Sequence, residues 1–158
     1  MMKDSSKSLQ KSIEWLRGLS DGVAGNQIEI IPVKGIRQVK AHTGYLLCDF
    51  IIPDSLADEI GNWHAGAIAA LIDTVGSMPV HSFTSRDSVS IDFSISYYST
   101  VKVQEEVEVE AKVVGDKENL TSVIVEIRKK KNIELIALVK QWMSTTKRNL
   151  ALHPVSNL

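Results

Sequence analysis

Leu9, Ile13, Leu16 and Leu19 recur at helical spacing with Trp15 beside them, so the chain opens on a short amphipathic helix packed on the domain. Ser5 and Ser6 offer caps in front of it, Gly18 and Gly22 end the pattern, and Gly22 to Gln27 reads as a loop. Strands are predicted over Ile31 to Ala41 and Gly44 to Ile52, joined at His42-Thr43-Gly44. After Pro53 the polar stretch Asp54 to Gly61 leads into an apolar run from Ala67 to Val80. Ile68, Ala69, Ala70, Leu71, Ile72 and Val75 make that run a buried helix, which Pro79 and Ser82 to Asp87 bring to its end.

The remainder alternates. Val89, Ile91, Phe93, Ile95 and Tyr97 interleave with Ser88, Ser90, Asp92, Ser94 and Ser96, a period of two that predicts a strand with one apolar face. Val107, Val109, Ala111 and Val113 do the same with Glu106, Glu108, Glu110 and Lys112. A turn at Gly115 to Asn119 precedes a strand over Leu120 to Arg128, and Lys129 to Asn132 turns into a last strand over Ile133 to Thr145. No repeat and no linker interrupts this order. It predicts one α+β domain in which an antiparallel sheet wraps around a long central helix. The expected parts are an N-terminal helix and loop over residues 1–27, the domain proper over 28–147 and a tail over 148–158.

Composition narrows the function classes. A chain of 158 residues suits one domain with a sizeable core. A formal net charge of -1 makes no case for nucleic acid. No apolar run reaches the ~18–20 residues of a membrane helix, and the N-terminus lacks the apolar core of a secretion signal. The one cysteine, Cys48, cannot form an internal disulfide and sits in a strand, where it reads as a small buried hydrophobe. His42, His64, His81 and His153 show no metal-ligand spacing, so neither a metal nor a cofactor is expected. Ser156-Asn157-Leu158 resembles the Ser-Lys-Leu peroxisomal address, and the expected compartment is peroxisomal or cytoplasmic.

The candidate chemistry lies in Asn62-Trp63-His64-Ala65-Gly66 and the helix that follows. A helix start presents unpaired backbone N–H groups to a developing oxyanion, and Asp73 follows about two and a half turns later as a candidate base. On the segment alone, Asp73 reads equally as a carboxylate capping a neighbouring loop. Ser90, on the polar side of its strand, reads by default as a solvent-facing hydroxyl. Trp63 either lines a pocket or packs in the core. Lys129, Lys130, Lys131, Lys147 and Arg148 could meet phosphates, although a solvated hairpin tip and tail is the simpler reading.

The order of elements, His64-Ala65-Gly66, Asp73 and Ser90-Ile91-Asp92 resemble a hotdog-fold acyl-CoA thioesterase. The similarity is to the acyl-CoA thioesterase 13-like branch of the 4-hydroxybenzoyl-CoA thioesterase superfamily. It spans roughly residues 30 to 145 and rests mainly on HAGAIAALIDTVGS and SVSIDFSISYYS. The resemblance implies a thioester hydrolase with an acyl-CoA substrate and a site formed between two subunits of a homodimer or of a dimer of dimers. It implies that Asp73 activates or positions water, that Ser90 helps hold that water, and that the Ala65 N–H polarises the carbonyl. His64 and Gly66 would shape the helix start. Two positions depart from the pattern: Ala65 replaces a glycine, and Asp58 stands where the branch carries an amide donor. An ionised Asp58 has no hydrogen to donate, which opens a second reading, a protein that binds acyl-CoA with impaired turnover. A hotdog enoyl-CoA hydratase is a third, although Asp58 to His64 lacks that family's Asp-x-Asn-Pro-x-His pattern.

Overall fold

The computed structural model describes residues 2–145; the expected tail, with Ser156-Asn157-Leu158, lies outside the described residues. Among the described residues three α-helices, α1 (Met2–Asp21), α2 (Gln27–Ile30) and α3 (Ala65–Thr84), and a 3-10 turn at Asp54–Leu56 accompany six strands. The strands are β1 (Arg37–His42), β2 (Tyr45–Ile51), β3 (Ser88–Tyr97), β4 (Glu106–Lys117), β5 (Leu120–Lys129) and β6 (Leu135–Thr145). They form one sheet in the order β1-β2-β4-β5-β6-β3, with every neighbouring pair antiparallel. α3 carries the chain from β2 across the sheet to β3 at the opposite edge. This is the hotdog architecture, a long helix cradled by an antiparallel sheet.

The core lies between α3 and the sheet. Leu71, Ile72 and Val75 meet Val107, Val109, Val123, Val125, Ile127 and Val139, all fully buried. Each such side chain contributes about 1.5–3 kcal/mol relative to exposure. α1 covers a second side of α3 through buried Leu16 and Leu19 and through a polar seam, in which the Ser12 hydroxyl reaches the Met78 carbonyl at 3.2 Å and His81 Nδ1 at 3.0 Å. α1 extends back through Ser5 and Ser6 and contains Gly18, so these residues lie within the helix and not at its ends. None of the described helices is long and apolar enough to cross a membrane.

Several boundaries differ from the sequence reading. The stretch from Ile31 to Ile36 forms turns, and β1 begins only at Arg37. Ile30, Val33 and Ile36 are buried at a spacing of three, the period of a turn rather than of a strand. α2 follows the expected loop, from its last residue Gln27 up to the expected strand, because Asn26 and Glu29 form a reciprocal capping box at its start. α3 passes through Pro79 and ends at Thr84, with Ser85 in the left-handed conformation as its cap. The β4–β5 connection tightens to Glu118-Asn119, since β4 runs on through Gly115 to Lys117.

One irregularity bears on function. β3 pairs with β6 as Ser90↔Met143 and then Asp92↔Trp142, leaving Ile91 as an extra residue in a bulge. The bulge exchanges the faces of the strand. Ser90 therefore shares the helix-facing side with Phe93, Ile95 and Tyr97, although strict alternation assigns it to the opposite side.

Candidate active site

Asp73 stands on the flank of α3 that faces β3, and it is exposed in the single chain although its neighbours Leu71, Ile72 and Val75 are buried. The helical turn explains the difference: Ile72 and Val75 face the core, while Asp73 projects beside the sheet edge. Its Oδ1 accepts the Ser90 hydroxyl at 2.5 Å and the Gln141 Nε2–H at 2.9 Å. The same Gln141 Nε2 also donates to Ser90 Oγ at 2.8 Å. The β3 bulge and the inward register of β6 thus bring three polar side chains from three elements to one point. Ser90 lies on the helix-facing side of its strand rather than the polar side, and its hydroxyl, although exposed in the single chain, is engaged by Asp73 and Gln141.

At the other end of the exposed flank lies the start of α3. His64 is the N-cap, and its Nδ1 accepts the Gly66 N–H at 2.9 Å. The Ala65 N–H is the first of the helix, a position without an intrahelical acceptor, and His64, Ala65 and Gly66 are all exposed. The Tyr97 hydroxyl donates to the Ala65 carbonyl at 2.9 Å, tying the sheet edge to the helix start. Burial pushes the Tyr97 phenol above its ordinary pKa, which keeps it a donor.

Asp58 shapes the loop that leads into the helix. Its Oδ1 accepts the Ile60 N–H at 3.0 Å and the Asn62 N–H at 2.8 Å, and Gly61 turns the chain with φ 81. The Asn62 N–H contact, followed by that of Ile60 and the nearby Lys102 charge, holds the Asp58 carboxyl below its ordinary value. Asp58 is therefore a turn-forming acceptor, and Asn62 is buried in the same turn. Trp63 packs in the core against Phe50, at 5.7 Å between ring centroids. Lys129 and Lys130 are ion-paired within the chain, to Glu134 and to Asp49 with Glu106. Burial raises the Cys48 thiol to about 12, so it is an inert core group. Among the described residues no group of His, Cys, Asp or Glu is placed to hold a metal ion.

The profile of the thioesterase superfamily matches residues 60–136, which include the helix start, Asp73 and Ser90. Acyl-coenzyme A thioesterase 13 of Homo sapiens is 30% identical over 104 residues, covering 65% of this chain and 74% of that protein. The chain belongs to the thioesterase superfamily. It is a thioester hydrolase, as the sequence resemblance implied. The crystal structure of zebrafish thioesterase superfamily member 2 shares the fold, with a TM-score of 0.78 at 21% identity over 88% of this chain and 99% of that one. A hypothetical thioesterase of Streptococcus pneumoniae, solved with coenzyme A, superposes with a TM-score of 0.67 at 20% identity over 70% and 85% of the two chains.

Within this thioesterase, Gln141, Tyr97 and Gly76 escaped the sequence reading. Gln141 left a signal, because it interrupts the buried series Ala137, Val139 and Met143 in β6. Tyr97 left none, since its contact depends on where β3 meets the helix start. Gly76 looked like an ordinary small helix residue, yet a Cβ there would stand 2.3 Å from Gln141 Oε1.

Proposed function

We propose that this protein hydrolyses a fatty or aromatic acyl-CoA to the free acid and coenzyme A, at a site shared by two copies of the chain. The observation that carries the reading is the anchored Asp73 together with an open helix start on the same exposed flank. Eight residues of helix separate Ala65 from Asp73, or about 12 Å along the axis. One carbonyl cannot lie within ~3 Å of both, as joint action on it requires. A two-fold partner running antiparallel beside α3 brings its own helix start to this Asp73.

β3 supplies the surface for such a partner. It is an edge strand with an open ladder side, and Val89, Ile91, Tyr97 and Tyr98 are exposed along it. An isologous pairing of two β3 strands covers these side chains and doubles the sheet. Acyl-CoA as the substrate is supported by the name of the human relative and by the coenzyme A held in the Streptococcus pneumoniae neighbour.

Water held by Asp73 and Ser90 attacks the thioester carbonyl carbon and gives a proton to Asp73. The Ala65 N–H of the other subunit takes the oxyanion. Collapse breaks the C–S bond, and the thiolate leaves with the proton from Asp73. A thiol of pKa ~8.5 is a good leaving group, so no strong acid is needed. A base of this kind is worth ~10²–10⁴-fold.

Thiol release from a panel of short, long and aromatic acyl-CoAs tests the proposal. Turnover that falls by about 10² or more in folded Asp73→Asn supports it. A folded wild-type protein that binds acyl-CoA but hydrolyses none establishes the binding-only reading that Asp58 raised. Peroxisomal import through Ser156-Asn157-Leu158 belongs to the same proposal, and a fluorescent protein carrying this tail that remains cytosolic refutes that part.

A further inference from the structure

Gln141 occupies a position that packing alone does not account for. It is fully buried in β6, and its Oε1 has no hydrogen-bond partner among the described residues. A methionine of similar volume would fill the same space without burying a polar group. The structure also reserves room for this carbonyl at Gly76, where a Cβ would collide with it. What the amide supplies is direction. Nε2 donates to both Asp73 Oδ1 and Ser90 Oγ.

Resting on the reading of Asp73 as the base, we infer that Gln141 is a positioning residue that sets the polarity of the water-holding site. The amide has one workable orientation, because the reverse turns its oxygen against a carboxylate that can only accept. Ser90 Oγ accepts from Gln141, so the Ser90 hydrogen goes to Asp73 Oδ1. Two acceptors then remain for a water on the exposed side, Asp73 Oδ2 and the second lone pair of Ser90. That water donates both hydrogens and turns a lone pair toward the carbonyl. Without Gln141 one acceptor site on Asp73 Oδ1 and one on Ser90 Oγ lose their fixed donor, and the water can take those sites in orientations that turn its lone pair away from the carbonyl.

The test compares Gln141→Met, Gln141→Glu, Ser90→Ala and Asp73→Asn by thiol release from acyl-CoA, with thermal melting as the control for fold. Gln141→Met is expected to melt at or above the wild-type temperature while kcat falls on the order of 10–10²-fold at unchanged KM. The same change in a Ser90→Ala background is expected to cost less, since the hydroxyl it orients is gone. Gln141→Glu sets a second carboxyl against Asp73 and is expected to move the acidic limb of the pH–kcat profile upward. Wild-type kcat in Gln141→Met, with Asp73→Asn inert, overturns the positioning role alone. Full activity in Asp73→Asn overturns the base assignment and this inference with it. If Gln141→Met does not fold, Gln141→Glu decides: an upward limb supports the inference and an unmoved profile overturns it.

Discussion

Replacing Ala65 by proline removes one hydrogen, the N–H proposed to meet the oxyanion, from a site built to tolerate the exchange. Ala65 is the first residue of α3, where proline is favoured because its missing N–H has no helical partner. The preceding His64 has φ -63 and ψ 131, an extended conformation that a following proline accepts. Ala65 is exposed, so the ring meets solvent. The His64–Gly66 cap and the Tyr97 bond to the residue-65 carbonyl do not involve the lost hydrogen. Stability is therefore expected to change by no more than about 0.5 kcal/mol. Loss of one oxyanion donor is expected to lower kcat by ~10²–10³, equivalent to ~2.7–4 kcal/mol. Steady-state thiol release gives kcat and KM, and thermal melting reports the fold. Ala65→Gly is the matching control, because it keeps the N–H and restores the residue of the family pattern. Wild-type kcat in a folded Ala65→Pro protein refutes the helix start as the oxyanion donor.

Ile91→Glu places a charge on the exposed β3 edge and is expected to yield monomers in analytical ultracentrifugation together with loss of turnover; an active monomer refutes the shared site. Asp58→Ala is expected to lower the melting temperature at neutral pH by freeing the Ile60 and Asn62 N–H groups, whereas Asp58→Asn keeps an acceptor and the fold. The Asp58 carboxyl titrates below its ordinary 3.8, so its contribution is present above that pH and fades as pH falls through the lowered value. The melting difference between wild type and Asp58→Ala should shrink accordingly. Burial, then the Glu110 contact, raises the Tyr45 phenol to about 12, so its contribution is full below pH 10.0 and lost as pH rises through 12. Ultraviolet titration should find one tyrosine ionising there and Glu110→Gln should bring it down.

The strands were legible where alternation ran unbroken, as in the Val107 to Val113 series and its hairpin partners. α2 was also legible in principle, since Asn26 and Glu29 have capping-box spacing, but four residues leave too little periodicity to register. The bulge at Ser90 to Asp92 was not. It inserts one residue without changing composition, and alternation then assigns Ser90 to the wrong side. Asp73 was legible as a candidate, but its exposure was not, because whether a carboxylate in an apolar helix is buried depends on which flank the sheet leaves open. Gln141 could have been found as the polar member of an apolar register. Its role could not, since the two groups it joins lie 68 and 51 residues away in sequence.

Subunit complementation tests the shared site most directly. Asp73→Asn and Ala65→Pro are each nearly inactive alone on this account, and they are unfolded together and reassembled as mixed dimers. A mixed dimer has one site combining an intact Asp73 with an intact helix start and one site lacking both, so each is expected to recover about half of the wild-type turnover. If mixed dimers form and recover nothing, both halves of the site belong to one chain, and the account of a carbonyl held between two subunits is wrong.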